Sequence, residues 1–316
     1  MPVTFRIRPD DEGLRLDKFL RRELKHVPLS HIFKLLRTRK VRLNERRGRP
    51  EDRLRAGDTV VVRGDPERLF GTQRTVGRGA PTTRRDFEVL YEDAHLLAVS
   101  KPPGLAIHPG TGVHGATLVD QVRAYLGIEA ETEGFKASPA HRLDKETSGV
   151  VLVAKSRQCM TRLADAFAAR QVEKVYLAVV KGRMPARRGE IDLALKEHQQ
   201  TRRSKVLHGP HYQAAQTRWV QRKSTGTVSL LEVHPGTGRT HQIRRHLAST
   251  GHPIVGDRRY GDFPFNREAR AEWGVRRHLL HAWRLCLTHP FEEETLRIEA
   301  PLPADLREAL EAMGLR

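Results

Sequence analysis

Cysteine is nearly missing from this chain of 316 residues: Cys159 and Cys286 are the only two, far apart and set in apolar or amphipathic stretches. That excludes a disulfide framework and fits a reduced compartment. No apolar run approaches the roughly 20 residues needed to cross a bilayer, and the first residues lack the apolar core of a signal peptide. The chain is therefore expected in the cytoplasm, away from membranes. Among 16 histidines, His241, His246 and His252 do not fall at zinc-ligand spacing, so no metal is implied. Ser148 lacks the G-x-S-x-G elbow of a hydrolase, and no G-x-x-x-x-G-K-[ST] loop is available to cradle a nucleoside triphosphate. A glycosidase-like pair of carboxylates is not visible either. No cofactor follows from any of these patterns.

Acidic residues are also scarce. Asp and Glu number 38 against 57 Lys and Arg, a formal net charge of +19. Such an excess favours a polyanionic partner, because Lys and Arg gain affinity by releasing condensed counterions. The charge is concentrated. Residues 1–85 hold 23 Lys and Arg against 11 Asp and Glu. Within them Leu16, Phe19, Leu20 and Leu24 fall at helical spacing, as do Ile32, Leu35 and Leu36 after an expected N-cap at Ser30. Val41 and Leu43 then alternate with polar residues, and Val60 to Val62 follow a Gly57-Asp58 turn, predicting short strands. Lys34, Arg37, Arg39, Lys40 and Arg42 form one basic patch suited to phosphates and RNA shape more than to base edges.

Residues 64–85, rich in Gly, Thr, Arg and Pro and without periodicity, read as a flexible basic linker. From Phe87 the pattern changes to short β segments and interspersed helices, opening with a hairpin around Glu92-Asp93. The Pro-Gly-rich loop Lys101 to Gly110 comes next. Thr117 is placed to cap a helix that Gly127 ends, Ser156 to cap another, and Lys174 to Val180 to form a buried strand carrying Tyr176. Gly236 to Gly251 begins as a glycine turn and continues as a helix with an expected cap at Thr240, Ile243 and Leu247 inward, and His241 and Arg244 on one face. A short helix with Leu306 and Leu310 inward closes the chain.

The most informative stretch is His141 to Gly149, H-R-L-D-K-E-T-S-G, before the apolar run Val150 to Ala154. Asp144 sits between Arg142 and Lys145, neighbours that would keep a carboxylate ionised in a partly dry cleft, as a nucleophile or a base requires. This nonapeptide resembles the signature of the RluA-type pseudouridine synthases. So do K-P-P-G-L-A-I-H-P-G, G-T-G-R-T-H-Q-I-R-R-H-L, G-H-P-I-V-G-D-R-R-Y-G and R-R-H-L-L-H-A. The N-terminal segment resembles the small RNA-binding domain named after ribosomal protein S-four.

The resemblance implies an α+β fold: a mixed, mainly antiparallel sheet with flanking helices at 86–316, a small α/β RNA-binding domain at 1–63, and the linker between. It implies isomerisation of specific uridines in large-subunit ribosomal RNA, without a cofactor, by a protein expected to be monomeric. Asp144 maps onto the catalytic aspartate and Arg244 onto its arginine partner. Tyr176 maps onto the tyrosine against the target base, Arg142 onto the residue that enters the vacated stack, and His241, Leu279 and Leu280 onto pocket positions. Arg245 departs from the pattern, since many relatives carry a small aliphatic residue there, and it leaves the RNA target open. Transfer RNA as the target, or a non-catalytic RNA-binding ribosome-assembly factor, are the other readings.

Overall fold

A computed structural model of the chain describes residues 2–24, 27, 29–64, 85–109, 115–128, 135–196 and 212–316. Most of the expected linker lies outside the described residues, as does Gly110, the last residue of the expected Pro-Gly-rich loop. The chain divides into two compact units, one dominated by the N-terminal segment and the other by the residues from 85 onward.

In the N-terminal unit, β1 (Pro2–Arg6), α1 (Leu16–Glu23), α2 (Leu29–Arg37), β2 (Val41–Leu43), β3 (Arg46–Arg47) and β4 (Thr59–Arg63) alternate. The strands form one sheet in the order β1-β4-β2-β3. The helical spacing read from the sequence is the buried face. Leu16, Phe19, Leu20, Ile32, Leu35 and Leu36 pack on Val41, Leu43, Val60 and Val62 in one core, and each such side chain contributes about 1.5–3 kcal/mol when fully buried. Ser30 is not the cap of α2. The helix already begins at Leu29, which places Ser30 in its first turn.

The larger unit starts with the expected hairpin, β5 (Glu88–Glu92) and β6 (Leu96–Lys101). After it come α3 (Leu118–Tyr125), β7 (Ser138–Pro139), β8 (Ser148–Ala154), α4 (Arg157–Ala168), β9 (Glu173–Lys181) and β10 (Arg188–Asp192). A short pair, β11 (Leu195–Lys196) and β12 (Tyr212–Gln213), precedes β13 (Gln216–Ser224) and β14 (Val228–Pro235). The chain ends with α5 (Gln242–Ser249), α6 (Phe263–Trp273), β15 (Leu280–Thr288), β16 (Thr295–Glu299) and α7 (Ala304–Ala312). Thr117 caps α3 in a reciprocal capping box with Asp120, satisfying two otherwise orphaned backbone donors.

One sheet of ten strands runs β10-β13-β14-β9-β15-β8-β6-β5, with β16 beside β15 and β7 beside β8. Every pair is antiparallel except β8 with β15. The fold is therefore α+β with a mixed, mainly antiparallel sheet. Alternation along the strands sends neighbours to opposite faces. Ala178 and Val180 join a core with Ile243, Leu247 and Leu280, while Val179 joins another with Leu279, Leu306 and Leu310. No helix among the described residues is long and apolar enough to cross a membrane.

Candidate active site

The stretch His141 to Thr147 forms the turn between β7 and β8. Four sets of contacts hold that turn. The Asp144 carbonyl accepts from the Thr147 N–H at 3.0 Å. The Gly104 N–H and Lys101 Nζ donate to the Lys145 carbonyl at 2.9 and 3.0 Å, which ties the Pro-Gly-rich loop to the motif. The Thr147 hydroxyl pairs with His278 Nε2 at 2.8 Å, and Arg277 donates to the Glu146 carbonyl at 3.0 Å. Lys101 is fully buried, with its ammonium also bonded to the Pro102 and Leu105 carbonyls at 2.8 and 3.0 Å. Burial pushes its pKa down to about 7.

Gly149, the last residue of the motif, explains how β8 lies parallel to β15. Its φ is +119°, and a Cβ there would stand 2.1 Å from the Ala282 carbonyl oxygen. Only glycine permits that approach.

Asp144 opens into a cavity of about 820 Å³ lined also by Arg142, Tyr176, His241, Arg244 and Leu280. Its cationic partner is not a sequence neighbour: Arg142 and Lys145 are both exposed. Arg244 Nη1 instead donates to Asp144 Oδ2 at 2.7 Å, from a residue one hundred positions away. On the other side His241 Nε2 stands 3.6 Å from Asp144 Oδ1. The Asp144 side chain keeps 22% of its surface open to the cavity, against 9% for Arg244.

Arg244 is itself clamped. Asp257, fully buried, accepts from its Nε at 2.7 Å and its Nη2 at 3.0 Å, a two-point grip that leaves Nη1 for Asp144. Burial raises the Asp257 pKa, but the Arg244 hydrogen bonds outweigh it and hold the acid below the usual carboxylate range. Backbone N–H groups of Arg259 and Tyr260 also donate to Asp257 Oδ1, at 2.8 and 3.0 Å. Tyr260 adds a second brace, with its hydroxyl 3.0 Å from His241 Nδ1 and its ring under the Arg244 guanidinium at 5.2 Å.

Asp257 and Tyr260 were not among the residues singled out from the sequence. The signal was present in G-D-R-R-Y-G, an acid at a glycine-bounded turn, but its partner could be found only in three dimensions.

Two local expectations change. Thr240 does not cap α5. The helix starts at Gln242, and His241 occupies the cap position in the left-handed region at φ 53° with no side-chain capping bond. Gln242 Oε1 accepts from the Arg239 N–H at 3.0 Å and the Thr237 hydroxyl at 2.6 Å, so the glycine turn is closed by the helix's own first residue. The unusual backbone at His241 aims its ring at Asp144. Leu279 does not line the cavity. It is buried in the core on the opposite face of the sheet, with Val255 and Leu306, while its neighbour Leu280 faces the site.

Tyr176 reaches the cavity from β9. Burial, with the Asp144 charge adding to it, raises its pKa, so the phenol stays protonated. Burial lowers the pKa of His241 despite the nearby Asp144, leaving a neutral imidazole near pH 7. Arg245, the departure noted in the sequence, is buried and donates to the Lys196 carbonyl at 3.2 Å, on the β11 side of α5.

A family pattern described as RNA pseudouridylate synthase matches residues 95–249, the span holding Asp144 and Arg244, and one described as S4 domain matches residues 14–60. The ribosomal large subunit pseudouridine synthase C of Vibrio cholerae is 35% identical over 96% of this chain and 94% of its own length. The chain belongs to the RNA pseudouridylate synthase family. The Escherichia coli K12 protein of the same name is 36% identical over 97% of this chain and 95% of its own. Among solved structures, human RNA pseudouridylate synthase domain containing 4 superposes with a TM-score of 0.59 at 27% identity, over 72% of this chain and 92% of that one. As a pseudouridine synthase, the chain isomerises uridine within RNA.

Proposed function

We propose that this pseudouridine synthase acts on specific uridines of large-subunit ribosomal RNA, with Asp144 as the group that attacks the ribose. The observation carrying this reading is a carboxylate partly open to a large cavity, gripped through one oxygen by an arginine that a buried acid holds in place. The names of the Vibrio and Escherichia relatives support the ribosomal target.

A base can enter the cavity beside Asp144 only if its nucleotide leaves the stack. Tyr176 packs against the extruded uracil, Leu280 forms the apolar wall, and exposed Arg142 enters the space the base vacates. Asp144 either attacks the anomeric carbon or takes a proton from its neighbour, and the glycosidic bond breaks. The freed uracil turns, bonds through carbon five, and loses the proton from that carbon while one is taken up at nitrogen one. Bonds of similar strength are exchanged, so neither a nucleotide cofactor nor an energy source is required.

Arg244 keeps Asp144 aligned throughout, and neutral His241 stands beside it without adding a second positive charge. Residues 1–63 hold the RNA through Lys34, Arg37, Arg39, Lys40 and Arg42, all exposed, residues 64–85 link, and residues 86–316 carry out the chemistry. The protein works as a monomer in the cytoplasm.

The test is to map pseudouridine by carbodiimide treatment and reverse transcription in cells lacking the gene. Loss of defined stops in large-subunit ribosomal RNA supports the assignment, whereas intact ribosomal stops with losses in transfer RNA overturn it.

A further inference from the structure

The basic patch of the N-terminal unit contains a side chain that charge does not explain. Phe33 is 42% exposed, one of three large hydrophobic residues left so open among the described residues. It stands on α2 one turn before Arg37, so the two share a helix face. Its neighbours Ile32, Leu35 and Leu36 are buried, so Phe33 is surplus to the core of this unit.

Phe33 forms one side of a recess of about 330 Å³, with Lys34, Arg37, Arg47 and Arg49 around it. Arg47 and Arg49, unlike Lys34 and Arg37, were not part of the basic patch read from the sequence. Gly48 between them is pressed on the core, where a Cβ would lie 2.6 Å from Leu16 Cδ2, and this fixes the two arginines beside the helix. Among the described residues, no acid pairs with Lys34, Arg37 or Arg47, all exposed. A ring framed by unpaired cations has the complementarity of a nucleotide: a flat apolar base with a phosphate on each side.

We propose that Phe33 is a stacking platform for one unpaired base of the bound RNA, with Lys34, Arg37, Arg47 and Arg49 holding the flanking phosphates. This rests on the reading that the N-terminal unit binds RNA and adds what that unit selects. A platform of this kind favours a strand with a bulged or looped-out nucleotide over a continuous duplex, because a paired base keeps its face inside the stack.

The experiment compares the full-length protein with Phe33→Ala, Phe33→Tyr and a Lys34→Gln/Arg37→Gln double variant. The probes are two RNA hairpins identical except for a single bulged 5-iodouridine, read by fluorescence anisotropy and photo-crosslinking. Phe33→Ala is expected to lose about tenfold in affinity for the bulged hairpin, within the range of base–aromatic stacking, and little for the paired one. Phe33→Tyr should keep the preference, and the crosslink should map to Phe33. The double variant should weaken both hairpins alike.

If the charge variant weakens binding but Phe33→Ala does not discriminate between the hairpins, the stacking proposal is overturned and a protein contact becomes the better use of the ring. If neither variant changes affinity, the RNA-binding reading of the unit falls with it.

Discussion

At the scale of single residues, the site is a relay of fixed charges. Asp144 is oriented by Arg244, and Arg244 by Asp257, so the acid that the sequence motif does not contain decides the geometry of the one that it does. Asp257→Asn should lower kcat at least about tenfold with KM little changed. It should also lower stability by as much as about 3–5 kcal/mol, the cost of breaking a buried pair. Steady-state kinetics with urea unfolding check both, and an unchanged kcat would remove Asp257 from the relay. Tyr176 carries a different load. Tyr176→Phe keeps the stacking ring and should retain most activity, while Tyr176→Ala should reduce kcat/KM by about 10–100-fold, the worth of one base stack. Because the phenol stays protonated, the pH profile of Tyr176→Phe should match that of the parent. The resemblance led us to expect Asp144, Arg244 and Tyr176 together, and the structure does bring all three to one cavity. The Asp257–Arg244 pair spans a turn and a helix, and no spacing rule foretells such a contact.

At the scale of elements, the hairpin, the Thr117-capped helix and the strand bearing Tyr176 follow from local pattern and turn chemistry. Strand phase was the harder problem. Leu279 and Leu280 look alike in sequence, and only the register of β15 against β9, with Leu280 opposite Ala178, separates core from cavity. Likewise Thr240 has the chemistry of a cap, but the strained backbone at His241 moves the helix start past it.

The parallel contact of β8 with β15 depends on Gly149. Gly149→Ala would meet the Ala282 backbone and should cost several kcal/mol, at the upper end for one substitution; a melting temperature within about a degree of the parent would refute the close approach. The same junction predicts acid sensitivity. His278 and His281 are buried, burial lowers each pKa to about 4, and His281 Nδ1 pairs with the Ser148 hydroxyl at 2.9 Å. In the unfolded chain each titrates near 6.5, so between those values the unfolded state binds more protons. Stability should therefore be complete above about pH 6.5 and fall on acidification, by up to about 1.4 kcal/mol per histidine per pH unit. Urea unfolding at a series of pH values reads this, with His281→Gln removing its share of the slope. A flat stability between pH 7 and 5 would contradict it.

At the scale of the whole molecule, binding and chemistry are carried by different properties. The net charge of +19 is a long-range asset for holding a polyanion, and no single residue owns it. The chemistry, as we propose it, belongs to one carboxylate, Asp144. Composition alone therefore pointed to nucleic acid but left a passive RNA-binding factor open, and the likeness to pseudouridine synthases over nearly the whole chain separates the two.

The most direct measurement is isomerisation by Asp144→Asn, followed by tritium release from 5-tritiated uridine in ribosomal RNA, with RNA affinity measured on the same sample. The account predicts no detectable release and an affinity within a factor of about two to three of the parent, since one neutralised side chain barely alters the field that holds the RNA. Release at or near the parental rate would contradict it.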